Sequence, residues 1–72
     1  EGMAIRNARD FGASIRDRRK RLGYTQGELA EMCDVGVMFV SQLENGKPTA
    51  QLDKAIRVAN MVGLNIVLQE RR

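Results

Sequence analysis

Residues 25–48 read TQGELAEMCDVGVMFVSQLENGKP, and this stretch decides the fold. It opens with a capping box, in which the Thr25 hydroxyl accepts a hydrogen bond from the amide of Glu28 while the Glu28 carboxylate accepts one from the amide of Thr25. The pattern predicts a short helix that ends near Met32. After a break, residues 37–44 are predicted to form a second short helix. Two short helices joined by a tight turn make a helix-turn-helix.

Another helix is predicted before this motif. Asp10 is a good N-cap, and Gly23 stands where a helix end favours positive φ. Between them, four side chains recur at helical spacing and are expected to face the core. They are Phe11, Ile15, Arg19 and Leu22. This stripe contains a cation, Arg19, which therefore requires a partner.

A fourth helix and a strand are predicted after the motif. Thr49 is the expected cap of the helix and Gly63 its expected end. The core stripe of this helix is expected to consist of Leu52, Ala55, Ile56 and Ala59. Residues 64–68, LNIVL, alternate and are rich in β-branched and aliphatic side chains, which is typical of a strand.

The length and charge of the chain limit what it can do. Its 72 residues allow one small domain, and 12 Lys and Arg against 9 Asp and Glu give a net charge of +3. Most of the excess lies in residues 1–23, which hold seven basic and three acidic side chains. Such a local positive field favours a polyanion such as nucleic acid, and an ordinary solvated helix face is the alternative.

Several classes of protein are disfavoured. The one cysteine, Cys33, cannot form an internal disulfide, and we interpret it as a small core residue rather than a redox sensor. Without histidine, the usual metal and general-base sites cannot be assembled, so no cofactor, metal site or catalytic residue is predicted. Since the sequence shows neither a signal-peptide pattern nor a membrane-length apolar run, we expect a cytoplasmic protein associated with the nucleoid.

A family resemblance is carried by residues 25–30, Val35 and residues 41–48 in this order. The combination resembles the Cro/cI (XRE) family of DNA-binding domains over residues 10–63, with an N-terminal arm at residues 1–9. Residues 64–72 resemble the C-terminal dimerisation strand and tail of the HipB-like antitoxin branch. The resemblance implies an all-α, four- to five-helix, lambda-repressor-like helix-turn-helix domain, with a C-terminal β-strand that pairs across a homodimer.

The same resemblance implies roles for individual residues. DNA base contacts are expected at Gly36, Val37, Met38, Ser41 and Gln42. DNA phosphate contacts are expected at Thr25, Gln26, Asn45 and Lys47. A structural ion pair is expected between Arg19 and Glu44. The sequence leaves open whether the basic side chains of helix one contact flanking phosphates or are simply solvated, namely Arg16, Arg18 and Lys20.

The chain departs from the family pattern around the start of the second motif helix. Asp34 stands where the family usually has Gly, and an aspartate adopts the left-handed conformation at a cost of roughly 1 kcal/mol. Gly36 stands where Ser or Thr normally caps the helix, so this start lacks a side-chain acceptor. Val37 and Met38 replace polar base-readers, which leaves thymine-methyl contact to them and bidentate adenine contact to Gln42. Local packing is the alternative for the two apolar side chains.

A second apolar stripe on the fourth helix suggests a partner subunit. Together with the strand, which has no strong mate in its own chain, this stripe is expected to form a two-fold dimer interface. The predicted interface residues are Val58, Met61, Val62, Leu64, Ile66, Val67 and Leu68.

These observations predict a homodimeric repressor that binds a palindromic operator in double-stranded DNA. The HipB-like resemblance implies an antitoxin that autoregulates a toxin–antitoxin operon, with a HipA-like kinase toxin as its protein partner. A phage-type or other repressor without a toxin is one alternative, and a protein-binding scaffold of the same fold is another. An enzyme is disfavoured, because the carboxylates of Glu28 and Glu31 alone do not make a metal or acid–base site.

Overall fold

The computed structural model describes residues 4–71, and its regular structure is helical. The four helices are α1 (Ala8–Leu22), α2 (Gln26–Cys33), α3 (Val37–Glu44) and α4 (Leu52–Met61). The all-α helix-turn-helix prediction is therefore confirmed, with four helices. Helix α3 packs against α1 and α2, and α4 packs against α2.

Helix α1 begins earlier than predicted, so the assignment of Asp10 as its cap is wrong. Asn7 is the cap, and its side chain accepts a hydrogen bond of 2.8 Å from the Asp10 amide. The Asp10 carboxylate accepts bonds from the side-chain Nε and the amide of Arg6, and these bonds lower the pKa of Asp10. Asparagine and aspartate are both favoured near helix N-termini. Here Asn7 occupies the cap position, and Asp10 lies in the first turn, where its negative charge interacts favourably with the helix dipole.

All four helices end in the same way. At each end, the amide of one residue donates to the carbonyl three residues back, and the next amide donates to the carbonyl five residues back. This pair of bonds is the Schellman motif, which requires a residue in the left-handed conformation at its corner. The corner residues are Gly23, Asp34, Gly46 and Gly63, with φ of 83°, 56°, 85° and 83°. Asp34 thus adopts the conformation predicted for it.

Each of the four helices contributes buried side chains from one face to the hydrophobic core. Its buried members are Ile15, Leu29, Ala30, Cys33, Val40, Leu43, Ala55, Val58, Ala59 and Val62. Cys33 is the small core residue that the sequence predicted, and burial raises the pKa of its thiol. Gly12 allows α1 to approach the end of α3 closely, because a Cβ there would overlap the Leu43 carbonyl oxygen. Leu22, predicted on the buried stripe, lies 43% exposed in the last position of α1.

The predicted core stripe of α4 is wrong in part. Ala55 and Ala59 are buried as expected, but Leu52 is 69% exposed and Ile56 is only partly buried. Fully buried Val58 and Val62 take their places. The reason is that the C-terminal part of α4 rests on the other helices, so the i, i+3, i+4, i+7 stripe starts at residue 55 instead of 52.

The ends of α4 also differ from the prediction. Gln51, and not Thr49, precedes the helix in the cap position, and its side chain makes no cap hydrogen bond. The helix ends at Met61, two residues before Gly63. Thr49 lies in the loop after α3, where it is exposed.

Residues 64–71 form neither helix nor strand, so the predicted strand is not present within the single chain. A strand needs ladder hydrogen bonds to a second strand, and residues 4–71 contain none. Leu64 packs partly against the core. The three apolar residues that follow in the same segment are exposed, namely Ile66, Val67 and Leu68.

Candidate nucleic-acid interface

The outer face of α3 carries most of the predicted base-contact residues. Val40 and Leu43 point into the core, which leaves Val37, Met38 and Gln42 on the outside. Val37 is 52% exposed and Met38 is 65% exposed, so local packing does not bury either side chain. Ser41, on the same helix, is half-buried.

The start of α3 is open, as the sequence predicted. Gly36 is exposed in an ordinary extended conformation, with φ of −76°, and it supplies no side-chain cap. A Cβ at this position would have nothing within 4 Å. The backbone here can therefore be approached closely by a large ligand.

The predicted capping box is present at the start of α2. The Thr25 hydroxyl accepts from the Glu28 amide at 3.0 Å, and the Glu28 carboxylate accepts from the Thr25 amide at 2.8 Å. Gln26 follows directly, and its side-chain nitrogen donates to Glu44 Oε1 at 3.0 Å. The bond from Gln26 to Glu44 holds Gln26 at the positive end of α2. The helix dipole and the backbone amides that the capping box does not use favour an anion there.

The predicted partners Arg19 and Glu44 are brought together in a two-bond ion pair. Arg19 Nε lies 2.6 Å from Glu44 Oε2, and Arg19 Nη2 lies 3.0 Å from Oε1. Both side chains are buried, with 9% and 2% of their surface exposed. The hydrogen bond from Arg19 to Glu44 raises the pKa of Arg19. Because Glu44 Oε1 also accepts from Gln26, one carboxylate connects α1, α2 and α3.

The loop after α3 brings the other predicted phosphate contacts beside its outer face. Asn45 and Lys47 are both exposed. Lys47 Nζ donates to Gln42 Oε1 at 3.1 Å, so the predicted anchor touches the predicted reader. Together with Gly46 and Pro48, these side chains line a depression in the surface.

Two arginines have structural roles that the sequence analysis missed. Arg18 Nε donates to the Val62 carbonyl at 2.9 Å, and Arg57 Nη1 donates to the Cys33 carbonyl at 3.0 Å. Each cation therefore binds the end of a helix, where carbonyls lack partners and the dipole is negative. These two roles could not be predicted from sequence spacing, because each arginine binds a carbonyl that is distant in sequence and close only in the folded chain. Arg16 and Lys20 are exposed.

The predicted dimer residues divide into two groups. Val58 and Val62 belong to the core of the single chain, where neither is exposed, so their assignment to an interface is wrong. The sequence suggests a second stripe at these positions because the predicted core stripe begins at Leu52, whereas the observed one begins at Ala55. The other group remains accessible to a second subunit and consists of Met61, Leu64, Ile66, Val67 and Leu68.

The two middle helices form a helix-turn-helix. Its second helix, α3, presents an exposed face, and its first helix, α2, has an electropositive start with a capping box. A family model described as helix-turn-helix (HTH_3) matches residues 15–68. The chain belongs to the XRE-type helix-turn-helix family. This is a family of DNA-binding transcription regulators and not of enzymes.

The XRE-type chain is similar in sequence to one curated protein and in fold to several solved structures. An uncharacterized HTH-type transcriptional regulator, y4mF, from Sinorhizobium fredii (strain NBRC 101917 / NGR234) is 42% identical over 62 residues, which span 86% of this chain and 82% of that protein. A HipB–O4 20-mer complex matches with a TM-score of 0.87 at 20% identity. A HipA–HipB–O2–O3 complex matches with the same values, and both matches cover 99% of this chain and 100% of the other.

Two further features are absent from the part of the chain that the structure describes. Across residues 4–71, no group of three or more His, Cys, Asp or Glu side chains could hold a metal ion. Within the same residues, no helix has the length and apolar character that crossing a membrane requires.

Proposed function

We propose that this chain binds double-stranded DNA sequence-specifically as a homodimer and represses transcription, with α3 in the major groove. The observation that carries the proposal is the exposed outer face of α3, which presents Val37, Met38 and Gln42, together with two anchoring points near the C-terminal end of this helix. One anchor is the start of α2 at Gln26, and the other is Lys47 in the loop after α3.

The anchors fit phosphates and the helix face fits base edges. Backbone contacts fix the register of a protein on the duplex, and contacts to base edges read its sequence. The amides at the start of α2 and the ammonium of Lys47 are donors that suit phosphate oxygens. Val37 and Met38 have no hydrogen-bonding groups suited to base edges, and contact with thymine methyl groups is the readout available to them.

The homodimer is proposed from the exposed apolar tail. Ile66, Val67 and Leu68 are 45%, 70% and 95% exposed, and Met61 nearby is 41% exposed. Backbone groups and apolar side chains of this segment would both be satisfied if residues 64–68 of two chains paired as strands about a two-fold axis. Two recognition helices related in this way lie about 34 Å apart and read a palindrome.

An antitoxin role extends the proposal. The fold matches HipB in a complex that also contains HipA and DNA, which supports a HipB-like antitoxin that autoregulates its operon with a HipA-like kinase toxin as partner. A phage-type or other repressor without a toxin is the alternative. Co-purification of the chain with the product of a neighbouring toxin gene supports the antitoxin role, and a genomic neighbourhood without such a gene supports the alternative.

The DNA-binding proposal is tested by selection of bound sites from a random duplex library. We expect a palindromic site whose half-site centres lie about 10 base pairs apart. A matched test uses Met38→Ala, which should reduce discrimination at one base position in each half-site. If the library yields no enriched sequence at any salt concentration, sequence-specific binding is refuted.

The dimer proposal is tested at the tail. Leu68→Asp places a charge in the proposed strand, whereas Gln69→Asp places the same charge on its neighbour; both positions are exposed in the single chain. In sedimentation experiments, truncation after Gly63 and Leu68→Asp should each give monomers at concentrations where the full chain and Gln69→Asp are dimeric. A truncated chain that stays a tight dimer would place the interface elsewhere.

A protein-binding scaffold is the second candidate, and the exposure of Val37 and Met38 favours it. Two neighbouring apolar side chains that are more than half exposed also suit a protein partner. A scaffold of this kind would bind random duplex only through salt-sensitive charge contacts, without a preferred site. The library selection therefore separates the two functions.

A further inference from the structure

The turn after α3 ties Lys47 to Gln42 through the backbone. The Lys47 amide donates to the Gln42 carbonyl at 3.0 Å, and the Gly46 amide donates to the Leu43 carbonyl at 3.0 Å. Gly46 makes this turn possible with φ of 85°. In such a Schellman motif the two outermost residues lie side by side, so Lys47 is held next to Gln42 whatever their side chains do.

The side chains of these two residues also meet. Lys47 Nζ lies 3.1 Å from Gln42 Oε1, and both side chains are exposed. An ammonium group has three donors and no acceptor, so only the amide oxygen of Gln42 can face it. The amide nitrogen of Gln42 consequently points away from Lys47, with its two N–H donors free for a ligand.

This orientation decides which base edge the pair fits. Bidentate contact with adenine requires Gln42 to donate to N7 and to accept from the N6 amino group. With the Lys47 ammonium beside Gln42 Oε1, the N6 amino donor would have to approach a positive charge. Guanine instead presents two acceptors, N7 and O6, in the major groove, so its edge suits the free N–H donors of Gln42 and brings no donor group toward the ammonium.

We propose that Lys47 is a specificity-determining residue, which orients the Gln42 amide so that the pair reads guanine instead of adenine. This inference rests on the proposed DNA-binding function. Lys47 keeps two further donors, so it can contact a phosphate while it holds Gln42. A simple anchor in the same position would weaken binding to all sequences equally and would not alter base preference.

The experiment compares the base preferences of the full chain and its variants by library selection at one salt concentration. The position read by Gln42 is the one that loses discrimination in Gln42→Ala. At that position we expect the wild type to prefer guanine over adenine by about tenfold. Lys47→Met, which keeps the apolar stem and removes the ammonium, should shift the preference toward adenine. Lys47→Arg should retain guanine, because a guanidinium also has donors only.

Lys20→Met is the matched control, since it removes one positive charge from an exposed position on α1. It should leave the base preference unchanged, and circular dichroism should show the same helicity in every variant. Adenine preference in the wild type, or an unchanged preference in Lys47→Met, would overturn the inference while leaving sequence-specific binding intact. A chain that selects no site at all would overturn both.

Discussion

The two helices of the motif begin in opposite ways. At the start of α2, Thr25 and Glu28 satisfy each other's amides, and Gln26 is bound to a buried carboxylate from α3. At the start of α3, Gly36 offers no side-chain bond. The start of the first motif helix is thus held by side-chain hydrogen bonds, whereas the start of the second is exposed and has no side-chain cap.

The difference matches the two tasks of the proposed function. Phosphates recur along a duplex with the same geometry, so an anchor benefits from being rigid before binding. Base edges vary with sequence, and the uncapped start of α3 and its exposed side chains can take part in DNA contacts without breaking a side-chain cap bond. We therefore expect substitutions at the two helix starts to change the free energy of unfolding by different amounts.

The largest effect is expected from Glu44→Ala. This change removes the partner of Arg19 and the acceptor that holds Gln26, which leaves a buried guanidinium unpaired. Breaking a buried ion pair from one side costs about 3–5 kcal/mol. The free energy of unfolding, measured by denaturant titration, should fall by that amount.

A surface ion pair provides the control for this loss. Arg21 Nη2 lies 3.1 Å from Asp17 Oδ2, and both side chains are more than 60% exposed. Asp17→Ala should change the free energy of unfolding by less than about 1 kcal/mol, because exposed pairs contribute little. If Glu44→Ala is no more destabilising than Asp17→Ala, the carboxylate does not hold the three helices together.

A smaller effect is expected at the start of α2 itself. Thr25→Ala removes the hydroxyl that accepts from the Glu28 amide and should lower the free energy of unfolding by about 1 kcal/mol. Thr25→Ser keeps an equivalent oxygen and should stay within a few tenths of the wild type. Thermal unfolding followed by circular dichroism distinguishes the variants. Equal stability of all three proteins would show that the capping box does not fix this helix.

The sequence predicts the motif well because its signals are local. The capping box is identified by its spacing, and the left-handed Asp34 and the uncapped Gly36 follow from comparison with the family pattern that the motif resembles. The Arg19–Glu44 pair could also be predicted, since a cation on an apolar stripe requires a partner and the family resemblance named one.

The parts that could not be predicted depend on where α4 lies in space. Both residues 52–59 and residues 55–62 give an apolar stripe on this helix, and only its packing against α2 selects the second. The arginines at helix ends and the close approach at Gly12 depend on the same tertiary arrangement. The tail was predicted as a strand from its alternation, but a strand also requires a partner that the single chain does not provide.

The smallest effect is expected at the start of α3. Gly36 has φ of −76° and ψ of 151°, which any residue adopts, and a Cβ there meets nothing within 4 Å. Gly36→Ser supplies the missing acceptor for an amide of the first turn and should raise the free energy of unfolding by about 0.5 kcal/mol.

Gly36→Ala isolates the contribution of the oxygen, because both variants restrict the unfolded chain in a similar way while alanine cannot cap. We expect the serine variant to exceed the alanine variant by about 1 kcal/mol in denaturant titrations with equal m-values. Such a difference would show that the amides at this start are unpaired in the free protein and remain available to a ligand. If serine and alanine give the same stability, these amides are already satisfied, and the contrast between the two helix starts does not hold.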